Sequence, residues 1–169
     1  MAQLRPVDPT RPPSAFKRAM TAIALSKLGT WFYVNVASRI DPWLMRVSGG
    51  RINSTFRVVP VVLLVTRGAK SGLERTVPLV YFTEGEHVIL MASSFGRPRY
   101  PAWYHNLKAN PGCHLRQGGE LLSYRATEVE GPDRDRLYAN AKQLYSGYGV
   151  YEDRVSGIRR VPVLRLSLA

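Results

Sequence analysis

The chain has 169 residues and a single cysteine, Cys113, which excludes an intrachain disulfide and a cysteine-based zinc site. A lone thiol also suits a reducing compartment. There are only three histidines (His87, His105, His114), scattered without metal-ligand spacing, so no metal centre is expected. No run of ~18 uncharged apolar residues occurs, so no segment is expected to span a membrane. Met1 to Pro13 is polar and proline-rich, with no apolar core of a secretory signal, so a cytoplasmic location is expected. Acidic residues are scarce, 12 against 24 basic ones, which leaves a net charge of +12. The cations are dispersed, with no basic run and no interleaved aromatic-basic motif, so nucleic acid is not an expected partner. The remaining partners for such a charge are a polyanionic small molecule or the anionic face of a membrane.

The length suits one domain with a sizeable core. Residues 1–13 read as a disordered tail, because Pro6, Pro9, Pro12 and Pro13 block helix. Residues 14–47 read as N-terminal helices broken at Asp41-Pro42, with Ala19, Ile23, Leu28, Phe32 and Val36 near a helical period. This segment either packs on the domain or rests on anionic lipid through its cations and Trp31, Phe32, Tyr33 and Trp43. Residues 48–169 form the main domain. Strand-like runs lie at 58–66, 76–83, 87–93, 112–117, 121–129 and 161–167, with turns at Glu84-Gly85-Glu86 and Gln117-Gly118-Gly119-Glu120. One helix is expected from Pro101 to Ala109, stopped by Asn110-Pro111, and another from Pro132 to about Tyr145. The pattern predicts an α+β fold: a small barrel of about six mainly antiparallel strands with flanking helices.

Chemistry concentrates in the turn between the first two strands, Thr66-Arg67-Gly68-Ala69-Lys70-Ser71-Gly72-Leu73-Glu74-Arg75. Its glycines allow close backbone approach, and its N–H groups can cradle an oxyanion. Lys70 offers a compact cation and Arg75 a planar fork for phosphate or carboxylate. It is not a nucleotide-triphosphatase loop: Ala69 separates Gly68 from Lys70, position 63 is Leu63, and a strand follows. Ser93 and Ser94 end the third strand. Trp103 and Tyr104 at a helix start can stack on a flat ring or simply fill core, and Asn106 can meet a heterocycle edge with donor and acceptor. Tyr145, Tyr148 and Tyr151, spaced by three among Gly147 and Gly149, read as a mobile aromatic lid or as a packed cluster. No G-x-S-x-G and no legible Ser-His-Asp triad supports nucleophilic hydrolysis. From the residues alone the chain is a barrel domain for an anionic, flat ligand, with catalysis and non-catalytic binding both open.

Taken together, Thr66-x-Gly68-x-Lys70-Ser71-Gly72-x-x-Arg75-x-x-Pro78-Leu79, Ala92-Ser93, Pro101-x-Trp103-Tyr104-x-Asn106-Leu107-Lys108-Ala109-Asn110-Pro111, Tyr145-x-x-Tyr148-x-x-Tyr151 and Val161-Pro162-Val163 resemble the deazaflavin-dependent nitroreductase family of actinobacteria. The likeness covers about residues 45–169. It implies an FMN-binding split-barrel-like fold and the cofactor coenzyme F420, whose phosphate and oligoglutamate tail would account for part of the positive charge. It implies that Ala69, Lys70 and Ser71 with Arg75, Thr76, Val77, Pro78, Leu79 and Val80 line phosphate and ring. It implies further that Met91, Ala92, Ser93 and Ser94 with Ala102, Trp103, Tyr104, His105 and Asn106 hold the deazaflavin. Tyr148 and Ser93 would be catalytic, and Tyr145, Tyr148 and Tyr151 would meet the acceptor: a quinone, an unsaturated lactone or a nitroheterocycle. The protein would be a monomer or homodimer, with peripheral membrane contact as a further expectation. The sequence departs from the best-characterised pattern at Ala69 (Arg there), Val80 (Tyr) and Ser94 (Lys), with Arg67, Arg97 or Arg99 as replacement cations. The competing readings are a non-catalytic basic module and a split-barrel protein using FMN or haem.

Overall fold

A computed structural model describes residues 4–11, a few isolated positions between 14 and 43, and residues 59–169 except 118. The expected N-terminal helices, and the aromatic segment around Trp31 to Tyr33, lie outside the described residues.

Six strands close into an antiparallel barrel: β1 (Val61–Arg67), β2 (Glu74–Glu84), β3 (His87–Met91), β4 (Gly112–Gln117), β5 (Glu120–Val129) and β6 (Val163–Leu168). The order around the barrel is β1-β2-β3-β6-β5-β4, with β4 pairing back onto β1. β1 is a continuous apolar run, buried on both faces from Val62 to Thr66. The other strands alternate, and the alternation sorts two cores. Val62, Leu64, Tyr81, Val88, Leu90, Leu115, Tyr124 and Leu166 point into the barrel. Phe82, Ile89, Met91 and Val163 point outward, onto α2 (Gly131–Leu144) and α3 (Gly147–Val155). A third helix, α1 (Ala102–Ala109), leans on β1 and buries Trp103 and Leu107. Two apolar layers on one closed sheet are how a barrel of this size covers both faces.

Several boundaries differ from the sequence-based expectation, each for a local reason. β1 begins at Val61 rather than 58. β3 stops at Met91, two residues early, because Ser94 (φ 52) and Phe95 (φ 58) turn left-handed. The segment holding Tyr148 and Tyr151 is not loop. It is the helix α3, whose Tyr148, Tyr151 and Val155 make one buried stripe at helical spacing. The flanking glycines concealed it, since glycine argues against helix on propensity.

Residues 4–11 are not a detached tail. Leu4 is 6% exposed and belongs to the barrel core. The Arg5 N–H donates to Gln117 Oε1 (3.1 Å), and the Tyr81 hydroxyl donates to the Arg5 carbonyl (3.0 Å). Val7 and Thr83 hold each other through N–H donated to Thr83 Oγ1 (2.9 Å) and N–H donated to the Val7 carbonyl (3.0 Å). The prolines exclude helix, but the extended backbone they favour suits docking along a sheet.

Candidate active site

A cleft of about 1020 Å³ opens beside the barrel. Its floor is the first half of β2, Arg75 to Val80, where the strand is only partly covered. One wall is the β1–β2 loop, a second is α1, and the third is the turn after β3 together with α3.

The β1–β2 loop is held shut by its own amides. Gly68 N–H donates to the Leu73 carbonyl and Gly72 N–H to the Gly68 carbonyl, both at 2.8 Å. A Cβ at Gly68 would lie 2.5 Å from Ser71 Oγ and 3.2 Å from the Leu73 carbonyl, so a side chain there would displace the Ser71 hydroxyl and press on the loop. Leu73 N–H reaches Ser71 Oγ (3.4 Å), and Ala69 N–H donates to Asn106 Oδ1 (3.0 Å). With the Gly68, Ala69, Gly72 and Leu73 amides engaged, the adjacent residues Lys70 and Ser71, together with Arg75, line the cleft. Asn106 is 8% exposed and also donates from Nδ2 to Thr66 Oγ1 (3.1 Å). Its amide is thus engaged at both ends inside the protein, which pins the loop to α1.

The residues expected at the site converge on this cleft, with two exceptions. Ala69 to Ser71, Arg75 to Val80, Met91, Ser93, Ser94, Ala102, Trp103, His105, Asn106 and the three tyrosines all line it. Ala92 is fully buried in the barrel core. Tyr104 turns away: its ring meets Tyr100 at 5.1 Å, and its hydroxyl donates to Glu128 Oε2 (3.0 Å). Burial, with the Glu128 carboxylate adding to it, pushes the Tyr104 phenol up to about 12. Of the replacement cations, Arg97 lines the cleft, while Arg67 lies along the loop at Gly72.

The tyrosines form a packed cluster rather than a detached lid. Tyr148 and Tyr151 are 6% and 5% exposed. Tyr145 meets Tyr148 edge-on at 5.5 Å, and its hydroxyl pairs with that of Tyr151 at 3.2 Å. Burial raises the Tyr151 pKa. The Tyr138 hydroxyl donates to the Tyr148 carbonyl (2.9 Å), which fixes α3 on α2.

Phe95 and Arg159 were not signalled as site residues by the sequence. Phe95 lines the cleft in a left-handed conformation and meets Tyr151 edge-on at 5.9 Å. A lone arginine in a loop carries no such signal.

The donor set suits a ligand with an anionic end and a flat body. Cations and two amides gather at one end, and half-buried Val77, Leu79 and Val80 with Trp103 and Tyr148 form apolar walls. Fold and cleft together define a closed antiparallel barrel with a lateral site for a flat, anionic cofactor. Comparisons with known proteins make this specific. Residues 37–166 match the F420H(2)-dependent quinone reductase family model. An F420H(2)-dependent quinone reductase of Mycobacterium tuberculosis (strain H37Rv) is 36% identical over 133 residues, 76% of this chain and 88% of the relative. Among solved structures, an F420-H2 dependent reductase is 37% identical, covering 64% of this chain and 94% of its own, with a TM-score of 0.58. One described as a domain-swapped dimer is 32% identical, covering 76% and 97%, with a TM-score of 0.59. The chain belongs to the F420H(2)-dependent quinone reductase family; it is an F420H2-dependent oxidoreductase, and its cofactor is coenzyme F420.

Proposed function

We infer that this protein reduces a quinone at the cleft between β2, α1 and α3. The supporting observation is the cleft's polarity: exposed Lys70 and Arg75 at one end, and a half-buried apolar floor under Tyr148 and Tyr151 at the other. The relatives' quinone reductase names favour the same acceptor over a lactone or nitroheterocycle.

When bound, F420H2 supplies the hydride. The chain's part is to hold and orient. The amides of Lys70 and Ser71, with the Lys70 and Arg75 side chains, bind phosphate. Thr76 to Val80, Met91, Ser94, Ala102, Trp103 and His105 enclose the ring and exclude water. Ser93 and Tyr148 stand where the acceptor approaches. The Tyr148 phenol donates a hydrogen bond to the quinone oxygen that gains charge, and Ser93 steadies the same region. Tyr145 and Tyr151, paired through their hydroxyls, form the wall behind Tyr148 and the quinone's outer contact. Val80 widens the ring-side wall, which suits a planar acceptor.

The reading also places the protein in the cytoplasm, peripheral to the inner face of the cell membrane, where a lipid-soluble quinone is reached. Residues 14–47, with a basic and aromatic sequence, would make that contact. A homodimer is supported by the domain-swapped relative. The test is oxidation of F420H2 by a soluble quinone and by a nitroimidazole at matched concentration. Faster quinone turnover is expected, whereas preferential nitroimidazole turnover would overturn the acceptor assignment.

A further inference from the structure

Between α3 and β6 stands Arg159, which touches no acidic group among the described residues and spends its guanidinium on backbone carbonyls. Nη2 donates to the Ser93 carbonyl at 2.7 Å, Nε to the Arg97 carbonyl at 3.0 Å, and Nη1 to the Ala92 carbonyl at 3.3 Å. These bonds grip both ends of the turn that follows β3. The same guanidinium lies 4.7 Å from the centre of the Tyr100 ring, and Tyr100 packs against Tyr104 and His105 of α1. Arg159's own N–H donates to the Val155 carbonyl at the end of α3 (3.0 Å). One residue therefore joins the turn carrying Ser93 and the start of α1 through its side chain, and the helix carrying Tyr148 and Tyr151 through its main chain.

The turn needs such a grip. Ser94, Phe95 and Gly96 run left-handed in succession, at φ 52, 58 and 72. Two consecutive non-glycine residues in that region are strained and persist only where the surroundings over-determine them. Within the turn, Gly96 N–H donates to the Ser93 carbonyl (3.0 Å) and Arg97 N–H to the Ser94 carbonyl (3.1 Å). Arg154 adds one bond, from Nη1 to the Phe95 carbonyl (3.3 Å).

We propose that Arg159 is a positioning residue for hydride transfer, holding Ser93 and the strained Ser94–Gly96 turn in register with Tyr148 along their shared wall of the cleft. The anion-binding end of the site lies on the opposite wall, so loosening this turn acts on the rate more than on cofactor affinity. The proposal rests on the reading of Ser93 and Tyr148 given above. A lysine cannot reproduce the planar fork that reaches the three carbonyls of the turn and that of Arg160, nor its stacking on Tyr100.

The test is Arg159→Lys in the full chain, with Arg160→Gln, an exposed surface change, as control. In the protein without F420, amide exchange at Gly96 and Arg97 should rise at least about tenfold, with the barrel amides unchanged. F420 dissociation should stay within about twofold. Single-turnover oxidation of bound F420H2 by a quinone should fall about tenfold or more, since small misplacements carry that cost. Wild-type exchange at Gly96 and Arg97 would overturn the grip itself, whatever the reaction proves to be. Faster exchange with a wild-type rate, or a rate loss explained by weaker F420 binding, would overturn the positioning role. If Arg159→Lys does not fold, Tyr100→Leu removes the stacked ring and is held to the same readouts.

Discussion

Lys70 and Arg75 are exposed, whereas Asn106 is buried and bonded at both ends, and the difference sets what each can contribute. In the proposed reading the exposed pair binds the cofactor's anionic end, so its contribution is charge-assisted and screened by salt. Arg75→Ala is expected to weaken F420 binding by about 1–3 kcal/mol with the fold intact, read by fluorescence titration at low salt. An unchanged dissociation constant would move the anion site elsewhere. Tyr148 is held through its backbone by the Tyr138 hydroxyl, so loss of its own hydroxyl should leave the helix in place. Tyr148→Phe is expected to keep most F420 affinity and to slow quinone-dependent oxidation of bound F420H2 by roughly 10–1,000-fold. Ser93→Ala should show a smaller loss and Tyr145→Phe a milder one, and single-turnover kinetics separate these from binding.

At the scale of elements, the turn after β3 lines the site and residues 4–8 close over the barrel core. A Cβ at Gly96 would sit 2.8 Å from Arg154 Cδ and 3.1 Å from the Tyr151 Cα, at a φ of +72. Gly96→Ala is therefore expected to cost about 1–3 kcal/mol in denaturant unfolding, because both the conformation and the space exclude a side chain. A stability equal to wild type would mean the turn has another conformation. Leu4→Ala should cost about 2 kcal/mol by opening the barrel core. These same elements mark the limits of sequence reading. The six strands were legible because short apolar or alternating runs, bounded by turns such as that at Gly85, state them directly. The glycine-rich loop with Lys70 and Arg75 was legible because anion chemistry needs those residue types. Helix α3 was not, since its buried stripe is short and sits among glycines. Nor was the engagement of Asn106 with Ala69 and Thr66, at separations of 37 and 40 residues. Arg159 was hidden for the same reason: its partners are main-chain carbonyls 62–67 positions away, which no side-chain pattern encodes.

Across the whole molecule, three of the scarce carboxylates, Glu84, Asp133 and Asp135, each take two guanidinium partners. Glu84 on β2 and Asp133 on α2 both pair with Arg136 and Arg165. Asp135 pairs with Arg134 and Arg160. Hydrogen bonds from these guanidinium groups hold the three carboxyls below their ordinary range. Groups with depressed folded-state pKa values contribute stability above the unfolded carboxylate pKa and lose it as pH falls through the folded value. Stability should thus be level near neutrality and fall below about pH 4, with a shallower fall in Arg136→Gln. Urea unfolding at several pH values checks this, and a slope unchanged by that substitution would assign the acid sensitivity to other groups. The remaining cations leave the net charge at +12. Binding to anionic vesicles that weakens with salt is expected, and reduced binding on deleting residues 1–45 would place the contact in that segment.

The barrel's cofactor is a deazaflavin rather than a flavin mononucleotide. Parallel titration of the purified protein with F420 and FMN at matched concentrations tests it most directly. Tight, salt-sensitive F420 binding with negligible FMN binding is the predicted result. Preferential FMN affinity would contradict it.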